Sequence, residues 1–220
     1  MNNTFSNSNI FNPANIVTTF RIGLLFLVVI IMNIETPLAN FVAAALCGLV
    51  FILDRVDGFL AKKLNCRTDF GGILDVAGDR IVENVLWIIF TVKGIFPIWM
   101  SAAVISRGFI VDGFRSYALT KGYTTFSMMQ AGISWMLVAS PASRLIYALL
   151  KMGLFIGAFI YLGFESSADI VWLYALQITG GIVVLSCIAR GAFSIKDILP
   201  MFRDNSFQFE DSAISVQGDI

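Results

Sequence analysis

The chain has 220 residues, 57% of them hydrophobic and 14% charged, and its mean hydropathy is +0.81. Soluble domains carry roughly 25% charged residues, so this composition excludes an ordinary soluble protein and fits a chain that spends most of its length crossing a bilayer. Lys plus Arg and Asp plus Glu balance at 15 each and histidine is absent, which excludes a basic nucleic-acid-binding protein, Ser-His-Asp triads, histidine phosphotransfer and histidine-ligated metals.

Residues 1–12 are polar without Lys or Arg. They read as a disordered or interfacial lead-in, because the basic start of a signal peptide is missing. Apolar runs then predict six spans: Asn15–Asn33, Pro37–Ala61, Phe70–Val92, Pro97–Leu119, Ser134–Phe164 (with Pro141 as an alternative start) and Asp169–Ala192. Each approaches or exceeds the ~20 residues that cross the hydrocarbon. The expected fold is an all-α integral membrane protein, a six-helix transmembrane bundle with a polar cavity facing the cytoplasm. One domain covers residues 1–202, and residues 203–220 form a flexible acidic tail. Cys47, Cys66 and Cys187 are scattered and imply no disulfide framework.

Basic residues set the orientation. Lys62, Lys63 and Arg67 follow span two, Arg115, Lys121 and Arg144 lie between spans four and five, and Arg190, Lys196 and Arg203 lie at the end of span six. The opposite loops hold Glu35, Glu165 and Asp169, with Lys93 as the exception. Both termini are thus expected in the cytoplasm.

Four aspartates break the apolar pattern at the end of span two and the start of span three. Their frame is Asp54-x2-Asp57-Gly58-x2-Ala61-Lys62-x8-Gly71-x3-Asp75-x3-Asp79. One carboxylate at the centre of a membrane helix costs about 2.5–3.5 kcal/mol on insertion scales. Four together call for a compensating partner, and a divalent cation is the one that hard carboxylate oxygens prefer. Asp54 and Asp57 stand three apart and Asp75 and Asp79 four apart, so each pair shares a helix face. The short connection predicts spans two and three as antiparallel neighbours with the two pairs facing each other. Gly58 and Gly71 flank the cluster and let a ligand approach the backbone.

This frame resembles the CDP-alcohol phosphotransferase signature, Asp-x2-Asp-Gly-x2-Ala-Arg-x8-Gly-x3-Asp-x3-Asp, with Lys62 in place of the arginine. Asn15-x2-Thr18-x2-Arg21 is similar to the family's amino-terminal pattern, and six spans is the family's number. The resemblance implies a fold and a chemistry. Asp54, Asp57, Asp75 and Asp79 would hold Mg2+ or Mn2+, and Asp79 would also be the general base. Gly58, Ala61, Lys62 and Gly71 would line the pocket for the cytidine diphosphate part of CDP-diacylglycerol. Transfer of the phosphatidyl group to a small alcohol would release CMP, by a homodimer in a bacterial inner membrane with its active site facing the cytoplasm.

An anionic acceptor needs cations, and the candidates are Arg107, Arg115, Lys121, Arg144 and Lys151. Arg107 and Lys151 fall inside apolar stretches, where a basic residue is functional by default. Arg21 either binds phosphate or snorkels to the interface. Arg107-x7-Arg115 with Lys121-Gly122 looks like the branch that uses glycerol 3-phosphate, although Gly108 stands where that branch carries Glu. Asp112 is expected to pair with Arg115 or Arg107, and Glu83 with Arg80. Inositol phosphate or phosphatidylglycerol as acceptor stays open, and outside the class so does a divalent-cation transporter.

Overall fold

The computed structural model describes residues 12–63, 68–120, 140–164 and 170–203. Six helices follow in order: α1 (Pro13–Met32), α2 (Pro37–Lys63), α3 (Asp69–Val92), α4 (Ile98–Thr120), α5 (Pro141–Gly163) and α6 (Ile170–Arg203). Three of them begin with the same device, a polar residue followed by proline. The Asn12, Thr36 and Ser140 side chains accept from the N–H groups of Asn15, Ala39 and Ser143 at 2.8, 3.2 and 3.2 Å. The proline that follows sits where an N–H would go unsatisfied anyway. Thr68 caps α3 in the same way, accepting from Gly71 N–H at 3.0 Å. At the other end of α3, Gly94 takes a φ of 75°, the left-handed turn that glycine tolerates.

The helices close into a ring. Among the described residues α1 packs on α2 and α3, α3 on α4, α4 on α6, α6 on α5, and α5 back on α2. Spans two and three face each other through their aspartates, as expected, with carboxylate oxygens of Asp54, Asp57 and Asp75 within 4.8 Å of one another, while the closer backbone packing of each is with α1. The reason is electrostatic. The facing sides of α2 and α3 carry four carboxylates that repel, whereas α1 brings the donors Thr18 and Arg21 to both.

Away from the aspartates, aromatic side chains of α3 and α5 meet inside the ring. Trp87 lies 5.6 Å from Phe155, and Phe90 lies 5.8 Å from Phe155 and 4.6 Å from Phe159, between ring centroids. All four are fully buried. Large apolar residues such as Ile30, Ile178 and Leu185 are instead exposed on the outside, the surface a bilayer covers.

Among the described residues four helices are long and apolar enough to cross a membrane, over Pro13–Met32, Pro37–Phe59, Ala142–Gly163 and Ile170–Leu199. The protein is therefore a multi-pass membrane protein, but α3 and α4 fall short by composition. α3 carries Asp75, Asp79, Arg80 and Glu83, and α4 carries Arg107, Asp112 and Arg115. Helix α6 also differs from expectation. It continues past Ala192 to Arg203, 34 residues in all, or about 51 Å at 1.5 Å per residue against ~30 Å of hydrocarbon. The added turns persist because Ser194, Asp197 and Ile198 make one buried face. Residues 204–220 of the expected tail lie outside the described residues.

Candidate metal centre and the polar interior

Helix periodicity aims both aspartate pairs at α1. Carboxylate oxygens of Asp54, Asp57 and Asp75 all lie within 4.8 Å of one another. Asp79 joins them through Arg21. Its Nη1 bonds Asp54 and lies 3.0 Å from Asp79 Oδ1, and its Nη2 lies 3.5 Å from Asp75. Arg21 is 1% exposed, so it does not snorkel. Asp57 is buried and accepts from the Thr18 hydroxyl at 2.9 Å and from the Gly58 N–H at 2.6 Å.

Four carboxylates against one guanidinium leave the cluster strongly negative. An octahedral Mg2+ with bonds of about 2.1 Å would place its oxygens about 3–4 Å apart, a separation that small side-chain rotations reach from here. Arg21 itself fits the cluster poorly as a permanent partner, since its Nε and Nη2 are buried without a hydrogen-bond acceptor. All-oxygen donors at this spacing fit a hard divalent cation.

Beside the cluster lies a cleft of about 320 Å3, lined among others by Asn15, Thr18, Asp57, Gly58, Gly71 and Asp75. A side chain at Gly58 would project into open space, whereas a Cβ on Gly71 would come 2.6 Å from Asn15 Oδ1. Close approach of α1 to α3 thus requires Gly71. Gly78 has the same role one level deeper, where a Cβ would come 2.8 Å from Arg21 Nη2. Ala61 and Lys62 fall in the last turn of α2.

A second polar group fills the interior between α3, α4, α5 and α6. Arg80 donates to Asp112 through Nε at 2.6 Å and Nη2 at 2.9 Å, and to Glu83 through Nη1 at 3.4 Å. Glu83 is buried and accepts from Lys151 at 2.9 Å. Asp112 therefore pairs with Arg80, not with Arg115 or Arg107 as expected. Arg80 outcompetes them because its fork meets both carboxylate oxygens. Arg107 lies against Gly191 of α6, where a Cβ would come 2.6 Å from its Nε, and that Nε is buried without an acceptor. Arg190 donates to the Ser143 hydroxyl at 2.9 Å and carbonyl at 3.3 Å, and its guanidinium lies 5.0 Å from the centre of the Tyr147 ring. Lys151 lies 4.9 Å from the same ring. Of the other predicted cations, Arg115 is half-buried, Arg144 is exposed, and Lys121 lies outside the described residues.

A family model described as CDP-alcohol phosphatidyltransferase matches residues 11–188. The chain belongs to the CDP-alcohol phosphatidyltransferase family. Among its curated relatives is the CDP-diacylglycerol–glycerol-3-phosphate 3-phosphatidyltransferase of Bacillus subtilis, 30% identical over 152 residues that cover 63% of this chain and 79% of the relative. Enzymes of the same description from Rickettsia bellii (29% identical, covering 62% and 80%) and Escherichia coli (26%, covering 57% and 68%) match as well.

Within this phosphatidyltransferase the sequence reading undervalued three groups. The sequence alone offers Arg21 as a phosphate binder or a snorkelling residue, and Thr18 as part of a pattern. The signal available was their spacing, since Thr18 and Arg21 share one face of α1. Arg190 was read as an orientation marker at a helix end, and only the packing of α6 on α4 and α5 turns it inward. The free thiols Cys47 and Cys187 are buried and pack as small apolar residues.

Proposed function

We infer that this membrane phosphatidyltransferase transfers the phosphatidyl group of CDP-diacylglycerol to glycerol 3-phosphate and releases CMP. The observation that carries the reading is the convergence of Asp54, Asp57 and Asp75 at the edge of the cleft. Asp54, Asp57, Asp75 and Asp79 would hold Mg2+ or Mn2+. Such ions, when bound, neutralise the pyrophosphate and the departing CMP.

The remaining chemistry belongs to the chain's own residues. Gly58 and Gly71 line the cleft that would take the cytidine diphosphate, and Gly58 leaves the backbone open there, with Ala61 and Lys62 in the last turn of α2. Lys62 offers a point charge where arginine would offer a fork. Asp79, whose side chain is 58% exposed, is the general base. It takes the proton of the acceptor hydroxyl as that oxygen bonds to the phosphorus carrying the lipid and the bond from that phosphorus to CMP breaks. Arg107 and Lys151, joined by Arg190, would hold the acceptor phosphate, and Arg115, Lys121 and Arg144 would draw the anion in from the surface. The relatives' acceptor and this inward-facing positive charge both favour glycerol 3-phosphate. The aromatic packing of Trp87, Phe90, Phe155 and Phe159 beyond the carboxylates favours an enzyme cleft over a cation path.

The same proposal has residues 1–202 as one domain of six spans, with α3 and α4 crossing the membrane while their charges face the ring interior. It places the aspartates on the cytoplasmic side of a bacterial inner membrane and has the chain act as a homodimer. The Lys93 that breaks the orientation rule is neutralised by Glu35, at 2.8 Å. The test is CMP release by the purified protein with CDP-diacylglycerol and Mg2+ or Mn2+, over glycerol 3-phosphate, inositol phosphate and phosphatidylglycerol. Metal-dependent release with glycerol 3-phosphate alone is expected. Release with another acceptor only would overturn the acceptor assignment, and none with any would overturn the reaction.

A further inference from the structure

Asp79 and Arg80 are consecutive on α3, and about 100° of helix rotation separates them. Asp79 therefore faces α1 and the acidic cluster, while Arg80 faces α4. A guanidinium one residue from four carboxylates has a strong electrostatic reason to turn toward them. It is held elsewhere, by two parallel bonds to Asp112 at 2.6 and 2.9 Å and a third to Glu83 at 3.4 Å. Glu83 is in turn fixed by Lys151 of α5 at 2.9 Å. Gly108, one turn before Asp112, lies against the same arginine. A Cβ there would lie 3.8 Å from Arg80 Cδ and Nη1, so the arginine lies flat along α4.

We propose that Asp112 is a positioning residue for the phosphatidyl transfer: by clamping Arg80 against α4 it keeps a second guanidinium off the acidic cluster and fixes the rotation of α3 that points Asp79 toward Arg21 and that cluster. The inference rests on the reading of the aspartates as cation ligands. Arg21 already spans three of the four carboxylates. A second arginine beside it would lower the formal charge of the cluster from −3 to −2 (four carboxylates against two guanidiniums) and compete directly with a divalent ion for the same oxygens. Asp112 touches neither the aspartates nor the cleft lining and acts only through Arg80.

The test is Mn2+ binding by the full-length protein in detergent, read from the electron paramagnetic resonance of free Mn2+, with thermal melting as the check on folding. Asp112→Ala is expected to weaken Mn2+ binding about tenfold or more, the scale on which outer-sphere partners act. Removing the competing cation as well, in Asp112→Ala/Arg80→Gln, should bring binding back to within about twofold of wild type, a recovery of roughly fivefold or more from the tenfold loss on that outer-sphere scale. A merely structural role predicts that the double variant binds no better than the single one, and that result would overturn the proposal. Gly108→Glu in the Asp112→Ala background offers Arg80 a carboxylate from one turn earlier and should restore binding too. Asp112→Asn keeps the side-chain volume and one acceptor. It serves where the alanine variant does not fold, and should shift binding in the same direction by less. Wild-type protein that bound no Mn2+ would overturn the metal reading and this inference with it. Wild-type binding left unaltered by Asp112→Ala would overturn this inference alone.

Discussion

Helix α3 carries two polar clusters on two of its sides, and they are balanced differently. Toward α1 and α2, Asp75 and Asp79 join Asp54 and Asp57 around a single arginine. Toward α4 and α5, Arg80 and Glu83 are matched by Asp112 and Lys151. The first side keeps an excess of charge beside an open cleft. The second side spends its charge on hydrogen bonds between helices, with the buried Nε of Arg107 at its edge. A buried charge left unmatched is costly, so under the proposed function the excess charge would mark where ligands bind, while the matched pairs hold the scaffold, Lys151 serving both.

The sharpest way to break that contrast is Asp79→Asn. CMP release should fall by about 100-fold or more, the range for loss of a general base, while Mn2+ binding persists on Asp54, Asp57 and Asp75. Near-normal turnover would mean that the excess charge on this side is not catalytic. Next comes the cation excess on the other side. Arg107→Gln should raise the KM for glycerol 3-phosphate roughly 10- to 100-fold, as expected for one charged hydrogen bond of about 1.5–3 kcal/mol. Lys151→Gln should in addition lower the melting temperature, because it strands the buried Glu83. Equal melting of the two variants would erase the distinction between ligand-binding and scaffold cations. A smaller effect is expected from Gly71→Ala, which crowds Asn15. Overpacking costs about 1–3 kcal/mol, read as a raised KM for CDP-diacylglycerol with kcat little changed.

The smallest effect belongs to Glu35 and Lys93, at the turns beyond α1 and α3. Lys93 donates to Glu35 and holds its carboxyl below the usual range. A lowered carboxylate pKa stabilises the fold above the unfolded value, and that contribution is lost as pH falls through the folded one. Near neutral pH the pair is intact, yet it is exposed and weak. Glu35→Gln should leave CMP release and neutral-pH melting unchanged, and a marked loss of either would show that this end of the bundle takes part in function.

Much of this was legible in the chain. Helical spacing put Asp54 with Asp57 and Asp75 with Asp79 on shared faces, and the helix boundaries of α1 to α4 fall within two residues of the apolar runs. Glu83 pairs with Arg80 as its spacing predicts. The partner of Asp112 was not legible, because Arg80 lies 32 positions away and spacing along one helix says nothing about a neighbour's rotation. The end of α6 was missed because its last turns follow amphipathic packing, not hydropathy. The packing of α1 on both α2 and α3 was not legible, because spacing along two helices does not say which third helix joins them.

The sequence by itself determined the class of protein, the carboxylate chemistry and the family, because these depend on which groups are present and on their local spacing. Only the tertiary structure decided which cation sits among the aspartates and which arginine is clamped away from them. Those outcomes depend on distances between helices, and charges in a low-dielectric interior choose partners by the geometry that packing leaves open.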